Sequence, residues 1–443
     1  MQLLDLDSNE LISALLALAV EHDVCILDSC GVGYLDSHLM IAGIEPMEMH
    51  EISNSEADET LEQFERLLRK GYAAIFSISY DFGRKLQPIP GSTTSNSDEP
   101  DIFVALFDTL SIHDYKKGKS FLIGNSEKLD LAEKQVRAVC FEEVKIADWS
   151  QIRSNFTRSE YVEAVELIKE HIRRGDTYQT NLTQQFSVEL TDGLNAETIF
   201  ARLRRDHPAP FSAFLKRRNS TVVSASPERF FSIEDQIISA SPIKGTRKRG
   251  ATPEQDAALK IDLAASEKDR AENTMIVDLL RNDVGRVCEY GRVEVEKCCE
   301  IETHPTFHHM VSTINGQLKD DTSVAEILRA LFPCGSITGA PKIRTMQIID
   351  EVESKPRGLS MGAIGYFIPE TGFEGLKPGF DLSVAIRTMV VKGNRAVFNV
   401  GGGITIDSDP KDEYEESMLK AKAIFAALGG TKSESARLNL QIP

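Results

Sequence analysis

Pro242-Ile243-Lys244-Gly245-Thr246-Arg247 sets a lysine between a rigid proline and a flexible glycine, shortly after Ser226-Pro227-Glu228. An amine attacks electrophilic carbon only when neutral, and a lysine confined in such a segment is a candidate nucleophile. The same residues also suit a plain surface turn, because Lys and Gly are ordinary loop residues. The rest of the chain decides between these readings.

The 443 residues are 41% hydrophobic and 27% charged, which fits a soluble globular protein of two or three domains or one large composite domain. A net charge of −18 argues against nucleic acid as a partner, since phosphate binding needs clustered Lys and Arg. It leaves room for a small anionic substrate at a local basic or metal-bearing site. Seven cysteines without a Cys-x-x-Cys pair, two of them adjacent at Cys298-Cys299, predict reduced thiols and a cytoplasmic setting, with neither a zinc site nor a disulfide framework. The apolar run Leu11 to Val20 is too short to span a bilayer and has acidic flanks, so it predicts a buried helix, no membrane segment and no export.

Strand-like runs at Val24-Leu27 and Ala73-Ile78 precede a Pro/Ser/Thr/Asn loop over Gln87–Pro100, and a boundary falls near Asp148 to Asn155. Thr157 with Glu160 forms a capping box for a helix that Gly175 closes. A strand then places Tyr178, Leu182, Phe186, Val188 and Leu190 on one face and Gln179, Asn181, Thr183 and Gln185 on the other, which can line a wet pocket. Further helices are predicted over Ser266 to Leu280, packing by Ala271, Met275 and Leu279, and over Pro410 to Leu428; a β run covers Leu382 to Val391. Strands and helices in mixed order, without a βαβ repeat, read as α+β.

Asp269 and Glu272 stand at i,i+3 on the first of these helices. Glu413 and Glu416 do so on the second, with Lys420 one turn on. Each pair alone suits a solvated surface; facing each other, the two pairs would offer hard oxygens to Mg²⁺. Gly401-Gly402-Gly403 could form a carboxylate-binding concavity of backbone N–H groups, completed by Arg387, or simply a tight turn. Glu228 is a candidate acid whose pKa a partly apolar pocket would raise. His309 is a candidate hydrogen-bond donor or a core histidine.

These segments, in order, resemble the chorismate-utilising enzymes related to anthranilate synthase component I. The motifs are Gly175-Asp176-Thr177-Tyr178-Gln179-Thr180-Asn181-Leu182, Ser226-Pro227-Glu228-Arg229-Phe230, the Pro242 to Arg247 stretch, Asp269-Arg270-Ala271-Glu272-Asn273, Asp278-Leu279-Leu280-Arg281-Asn282-Asp283, Gly339-Ala340-Pro341-Lys342, Ala385-Ile386-Arg387-Thr388 and Gly401-Gly402-Gly403-Ile404. The resemblance implies a large composite chorismate-utilising fold, with two β-sheets packed face to face and helices outside. It divides the chain into an N-terminal anthranilate-synthase-I-like region (1–150), a chorismate-binding catalytic region (151–430) and a C-terminal tail (431–443).

Within the family, water-adding members carry a lysine base where this chain has Gln179, and anthranilate synthases typically carry alanine where it has Lys244. Lysine there is similar to the aminodeoxychorismate synthase branch, which serves para-aminobenzoate and folate synthesis. The resemblance thus implies Mg²⁺ on Glu272 and Glu416 with Asp269 and Glu413 behind them. Chorismate would be held by Thr246, Thr338, Arg387, Gly401, Gly402, Gly403 and Lys420. Lys244 is implied as nucleophile and Glu228 as acid, with Gln179 and His309 in the catalytic set. Ammonia would come from a separate glutaminase subunit, because the chain has no Gly-x-Cys-x-Gly nucleophile elbow. Ser29, Pro210 and Phe211 resemble the family's tryptophan pocket, although Asp28 stands where glutamate is usual. The rival readings are an anthranilate synthase component I, a pyridoxal phosphate Schiff base on Lys244, and a non-catalytic tryptophan- or metal-binding regulatory module.

Overall fold

The computed structural model describes residues 1–87, 89, 97–144, 149–191, 193–303, 307–370, 372–373 and 375–429. Most of the predicted Gln87–Pro100 loop, Asp148 of the predicted boundary and the whole 431–443 tail therefore lie outside the described residues.

Among the described residues the strands form two large sheets, paired antiparallel throughout. The twelve-stranded sheet runs Gln2–Leu4, Lys119–Gly124, Thr109–Asp114, Leu39–Ile44, Val24–Asp28, Phe211–Lys216, Thr221–Ser226, Thr388–Lys392, Arg395–Ile404, Gln179–Leu190 and Gly339–Ala340, with Trp149–Ser154 also pairing Gln179–Leu190. The ten-stranded sheet runs Ile243–Lys248, Phe307–Leu318, Ile237–Ala240, Arg229–Glu234, Gly379–Val384, Ala363–Ile368, Ala73–Ile78, Ile102–Phe107 and Glu48–Ile52, with Cys288–Thr303 along the other edge of Phe307–Leu318. Residues before and after 150 share both sheets: Val24–Asp28 pairs Phe211–Lys216 in one, and Ala73–Ile78 pairs Ala363–Ile368 in the other.

Alternation along the strands explains the layers. One face of each sheet meets the other in a core that joins Cys25, Ile41, Ile112 and Leu215 to Ile75, Phe103, Ala105 and Ile364. The outer face of the larger sheet is covered by the helices Ser8–Ala19, Ala196–Asp206 and Pro410–Ala427, around Phe186, Phe200, Phe214 and Phe398. The outer face of the smaller sheet is covered by Ala57–Leu68, Glu267–Gly285 and Val324–Leu331, around Phe64, Phe76, Ile276 and Leu331. The sandwich with helices outside is the expected α+β architecture.

Local signals account for most element ends. Thr157 and Glu160 make the expected capping box for Arg158–Arg173. Ser266 caps Glu267–Gly285, and Asp409 with Pro410 at its first turn starts Pro410–Ala427. Leu11 to Ala19 lies in Ser8–Ala19 and is largely buried, with Val20 exposed at the C-cap; no helix among the described residues is long and apolar enough to cross a membrane. Two expectations differ. The helix carrying Asp269 and Glu272 buries Asn273, Ile276, Val277, Leu280 and Val284. Of the expected packing residues, Met275 packs half-buried against this core and Leu279 is half-buried, while Ala271 is exposed. Its polar Asn273 turns inward to meet Ser312, and this rotates the buried stripe. The single β run over Leu382 to Val391 is two strands: Gly379–Val384 belongs to the smaller sheet and Thr388–Lys392 to the larger. The chain crosses between the sheets at Ala385-Ile386-Arg387, where Arg387 takes a φ of 49°.

Candidate active site

Lys244 lies on Ile243–Lys248, whose pairing with Phe307–Leu318 slips between Ile243 and Thr246. The slip turns Lys244 off the regular ladder. Gly245 makes it feasible: its φ is 79°, and a Cβ there would sit 2.9 Å from both Asp269 Cγ and Leu263 Cδ1. The ammonium group of Lys244 is 3.0 Å from Glu272 Oε1, and Gln179 Nε2 donates to the same oxygen at 2.9 Å. Burial pushes the Glu272 carboxyl up, but the charge and hydrogen bond of Lys244 and the Gln179 amide outweigh it, leaving the group below the usual carboxylate range.

Glu228 leads into Arg229–Glu234 and is buried. Its backbone is fixed on both sides, since its carbonyl accepts from Val384 N at 3.0 Å and its N–H reaches Ser226 Oγ at 3.3 Å. Burial holds its carboxyl above the ordinary value. The hydroxyl of Ser336, donating at 2.7 Å, opposes that shift, as do the charges of Lys244 and Lys420. A buried, protonatable acid thus faces the amine.

Gly401-Gly402-Gly403 is not a loop after a strand. These residues are the last part of Arg395–Ile404, paired with Thr183, Leu182 and Asn181. They are bare because other groups lean over them. A Cβ on Gly402 would lie 3.2 Å from Glu413 Oε2, 3.5 Å from Lys420 Nζ and 4.0 Å from Glu416 Oε1; one on Gly403 would lie 2.1 Å from Gln179 Nε2 and 3.4 Å from Glu272 Oε1. Lys420 bonds the Gly401 carbonyl at 2.9 Å and Glu416 at 2.9 Å.

Three of the four paired acids therefore converge on one glycine strand. Glu272 arrives over Gly403, and Glu413 with Glu416 over Gly402. Asp269 pairs instead with Arg247 at 3.2 Å, and Glu413 accepts from Ser408 at 2.6 Å. Burial raises Glu413, Ser408 opposes the shift, and the charge of Glu416 adds to it, so these carboxylates repel one another. Among the described residues no three His, Cys, Asp or Glu side chains stand together in a way that could hold a metal ion by themselves. Buried Oε1 of Gln179 and Oδ1 of Asn181 have no partner beside them. Glu272 and Glu416 already have ammonium partners in Lys244 and Lys420. Mg²⁺, which takes few protein ligands and completes its shell with water and substrate, would therefore share these two carboxylates with the lysines.

Other expected residues take different places. Thr246 Oγ1 is 2.9 Å from His309 Nδ1, and the imidazole centroid lies 4.2 Å from that of Phe307 with the rings tilted by 46°. Thr338 turns its hydroxyl back to the carbonyls of Cys334 and Gly335, while its own carbonyl accepts from Asn181 N. Arg387 makes no ion pair with a described acid; its exposed side chain is nevertheless desolvated enough by surrounding protein to be lowered. Its carbonyl accepts from Ala225 N at 3.1 Å, and a guanidinium without a described acid partner is suited to a carboxylate.

Three residues of the site carried no signal alone. Ser336 holds Glu228 from the short turn Gly335–Ile337. The buried pair Glu353–Arg357 (2.7 Å) anchors two walls: Glu353 accepts from Thr183 N and Oγ1, and Arg357 donates to the carbonyls of Ile337 and Asn181. In sequence an i,i+4 Glu–Arg pair looks like a solvated surface; only the fold reveals it as buried.

Ser29, Pro210 and Phe211 come together in a separate cavity of about 580 Å³. Asp28 is taken up by Arg204 (2.7 Å), Tyr115 (2.8 Å) and the N–H of Cys30 (2.8 Å). The Gly-rich segment after Phe373 supplies Gly375 to Phe380 to the same wall.

Residues 30–426 match the family described as chorismate binding enzyme. The chain is 36% identical to aminodeoxychorismate synthase component 1 of Bacillus subtilis (82% of this chain, 78% of the relative), and 36% identical to anthranilate synthase component 1 of Aquifex aeolicus (82% and 76%). With the aminodeoxychorismate synthase of Streptomyces griseus it shares 39% identity, but spans only 48% of that longer protein. The anthranilate synthase component I structure from Streptococcus pneumoniae superposes with a TM-score of 0.75 at 30% identity, covering 87% of this chain and 92% of that one. The matched span takes in every residue of the cleft from Gln179 to Lys420, so the chain belongs to the chorismate binding enzyme family.

Proposed function

We propose that this chain is an aminodeoxychorismate synthase component I: it replaces the C4 hydroxyl of chorismate with an amine to give 4-amino-4-deoxychorismate. The observation that carries this reading is Lys244, 3.0 Å from Glu272 in the cleft and electrostatically coupled to the buried Glu228. The names of its relatives in Bacillus subtilis and Escherichia coli, the latter 37% identical over 80% of this chain, support the same branch.

Chorismate is a dicarboxylate. Arg387 and Lys420 bring positive charge to one carboxylate, with Thr246, Thr338 and the glycine strand as its surroundings. Mg²⁺ on Glu272 and Glu416, backed by Asp269 and Glu413, would supply charge neutralisation for the substrate when bound. Lys244 attacks C2 after releasing its proton to solvent, both ring double bonds shift along the ring (C1=C2 to C1=C6 and C5=C6 to C4=C5), and the C4–O bond breaks as Glu228 gives its proton to the departing hydroxyl. Ammonia then attacks C4, both double bonds shift back, the C2–N bond to Lys244 breaks, and the new ammonium group gives up a proton. One ammonia enters, one water leaves, and the enolpyruvyl group stays. Gln179 holds Glu272 in place and offers no base for water addition. His309, joined to Thr246, lines the substrate side.

Ammonia comes from a glutaminase partner in this reading, which the designation "component 1" of the relatives supports. Seven free thiols suit a cytoplasmic enzyme. The test is incubation of the protein with chorismate, Mg²⁺ and an ammonium salt, followed by mass spectrometry. Aminodeoxychorismate is the expected product. Anthranilate with released pyruvate as the sole product would overturn the reading in favour of the anthranilate synthase branch, which the similarity to the Aquifex aeolicus protein keeps in view.

A further inference from the structure

Behind the nucleophile lies a feature that the proposed chemistry does not use. Cys298 and Cys299 sit where Cys288–Thr303 slips against its partner strand: Lys297 opposes Thr313 and Glu300 opposes Val311, so the two cysteines share one opposing residue, Ser312. Cys299 has a φ of 55°. This bulge brings the two Sγ atoms to 4.0 Å, with Cys298 exposed and Cys299 buried.

Cys299 packs at the back of the cleft. Its N–H donates to Ser312 Oγ at 2.9 Å, and its thiol points to Asn273 Oδ1 at 3.6 Å, next to Glu272. It forms a small apolar cluster with Met310 and Leu263. Leu263 is the one fully buried residue of the largely exposed helix Pro253–Ala265, which links the Lys244 strand to the Glu272 helix. The place where a Gly245 Cβ would project is 2.9 Å from Leu263 Cδ1. One buried sulfur therefore supports both neighbours of the chemistry, Lys244 through Leu263 and Glu272 through Asn273.

We propose that Cys298 and Cys299 form a reversible oxidation site, closing to a disulfide between adjacent residues that unseats the Leu263 anchor and lowers turnover. The exposed Cys298 thiolate attacks a small-molecule disulfide and releases one thiolate, leaving a mixed disulfide. Cys299 gives up its proton and attacks Cys298 Sγ, and the second small thiolate leaves. Two protein thiols are oxidised, and one small disulfide is reduced to two thiols. Bonding requires the sulfurs to close from 4.0 Å to about 2.05 Å. Cys299 must therefore swing outward, vacating the space beneath Leu263 and withdrawing from Asn273. Adjacent Cα atoms are about 3.8 Å apart, below the ~4.4 Å lower end for ordinary disulfides. Such a bond is strained and readily reduced, the property of a regulatory rather than a structural disulfide.

The experiment titrates the reduced protein with oxidised glutathione and follows three readouts: the mass of the peptide holding 298–299, hydrogen exchange of 253–265, and ammonia-dependent chorismate consumption. The peptide should lose two hydrogens and exchange in 253–265 should rise. Turnover should fall by about 100-fold, the cost of displacing catalytic groups by roughly 1 Å, and dithiothreitol should reverse all three changes. Cys298→Ser, altering an exposed thiol, should match the reduced parent and resist inactivation. A glutathione adduct without ring closure, no modification at this pair, or a closed ring that leaves exchange and turnover unchanged would overturn the proposal. The turnover readout rests on the proposed function; the mass and exchange readouts do not, so a protein inert toward chorismate would refute that function while the ring was still tested.

Discussion

Replacing Arg357 with methionine tests how far the cleft depends on a charge pair outside it. Arg357 and Glu353 are 1% and 4% exposed at their side chains. The substitution leaves Glu353 charged and buried with only the Thr183 N–H and hydroxyl as donors. Removing one partner of a buried pair costs about 3–5 kcal/mol. For 443 residues, an unfolding entropy of about 2.1 cal/mol/K each sums to about 0.9 kcal/mol/K, so the melting temperature should fall by about 3–5 °C. Activity should fall as well, because the carbonyls of Ile337 and Asn181, beside Thr338 and Gln179, lose their tether. Differential scanning calorimetry with parallel kinetics measures both effects. Arg357→Met/Glu353→Met together should recover much of the lost stability, since no unpaired charge then remains. A single variant melting within about 1 °C of the parent, or a double variant no more stable than the single, would refute the argument.

The other predictions concern the cleft itself. Lys244→Ala should abolish any covalent adduct with substrate in intact-protein mass spectra; an adduct that persists rules the lysine out as nucleophile. Ser336→Ala should affect the pH profile with a definite sign. Ser336 opposes the burial-driven rise of Glu228, so its loss raises Glu228 further. In the proposed reaction the protonated acid is the working form, so the limb of kcat/KM that falls with rising pH should move to higher pH. A limb that stays put or moves down would remove Glu228 or Ser336 from that role. Glu272→Gln should raise the Mg²⁺ concentration for half-maximal rate by about tenfold or more, and an unchanged Mg²⁺ titration would take Glu272 out of the metal site.

Signals that act within a few residues were legible in the sequence. The Thr157–Glu160 capping box and the paired acids of two helices take their expected local form, and the strand alternates in burial from Gln185 to Leu190. Tyr178, expected on its apolar face, is exposed and precedes the strand Gln179–Leu190, whose first six residues are all buried. The ordered motifs were enough to name the family. What stayed hidden depends on contacts between distant segments. Ala271 looked like a packing residue until Asn273 turned inward to Ser312, from a strand nearly forty positions on. Glu353 and Arg357 carry no apolar pattern, and only enclosure by two walls distinguishes them from a solvated pair. The glycine run looked like a loop because a bare strand has the same composition; Gln179 and Glu413 lying across it supply the missing reason.

The crossing at Ala385-Ile386-Arg387 sets fold and reaction against each other. A positive φ on a residue with a side chain costs on the order of 1–3 kcal/mol, a strain that glycine escapes. The same position adds a guanidinium with no described acid to neutralise it. By stability alone glycine is the better residue at 387, and Arg387→Gly should give a hardier protein with a weaker hold on a dianion. Selection for thermal tolerance without selection for turnover would therefore erode this site first at its arginine.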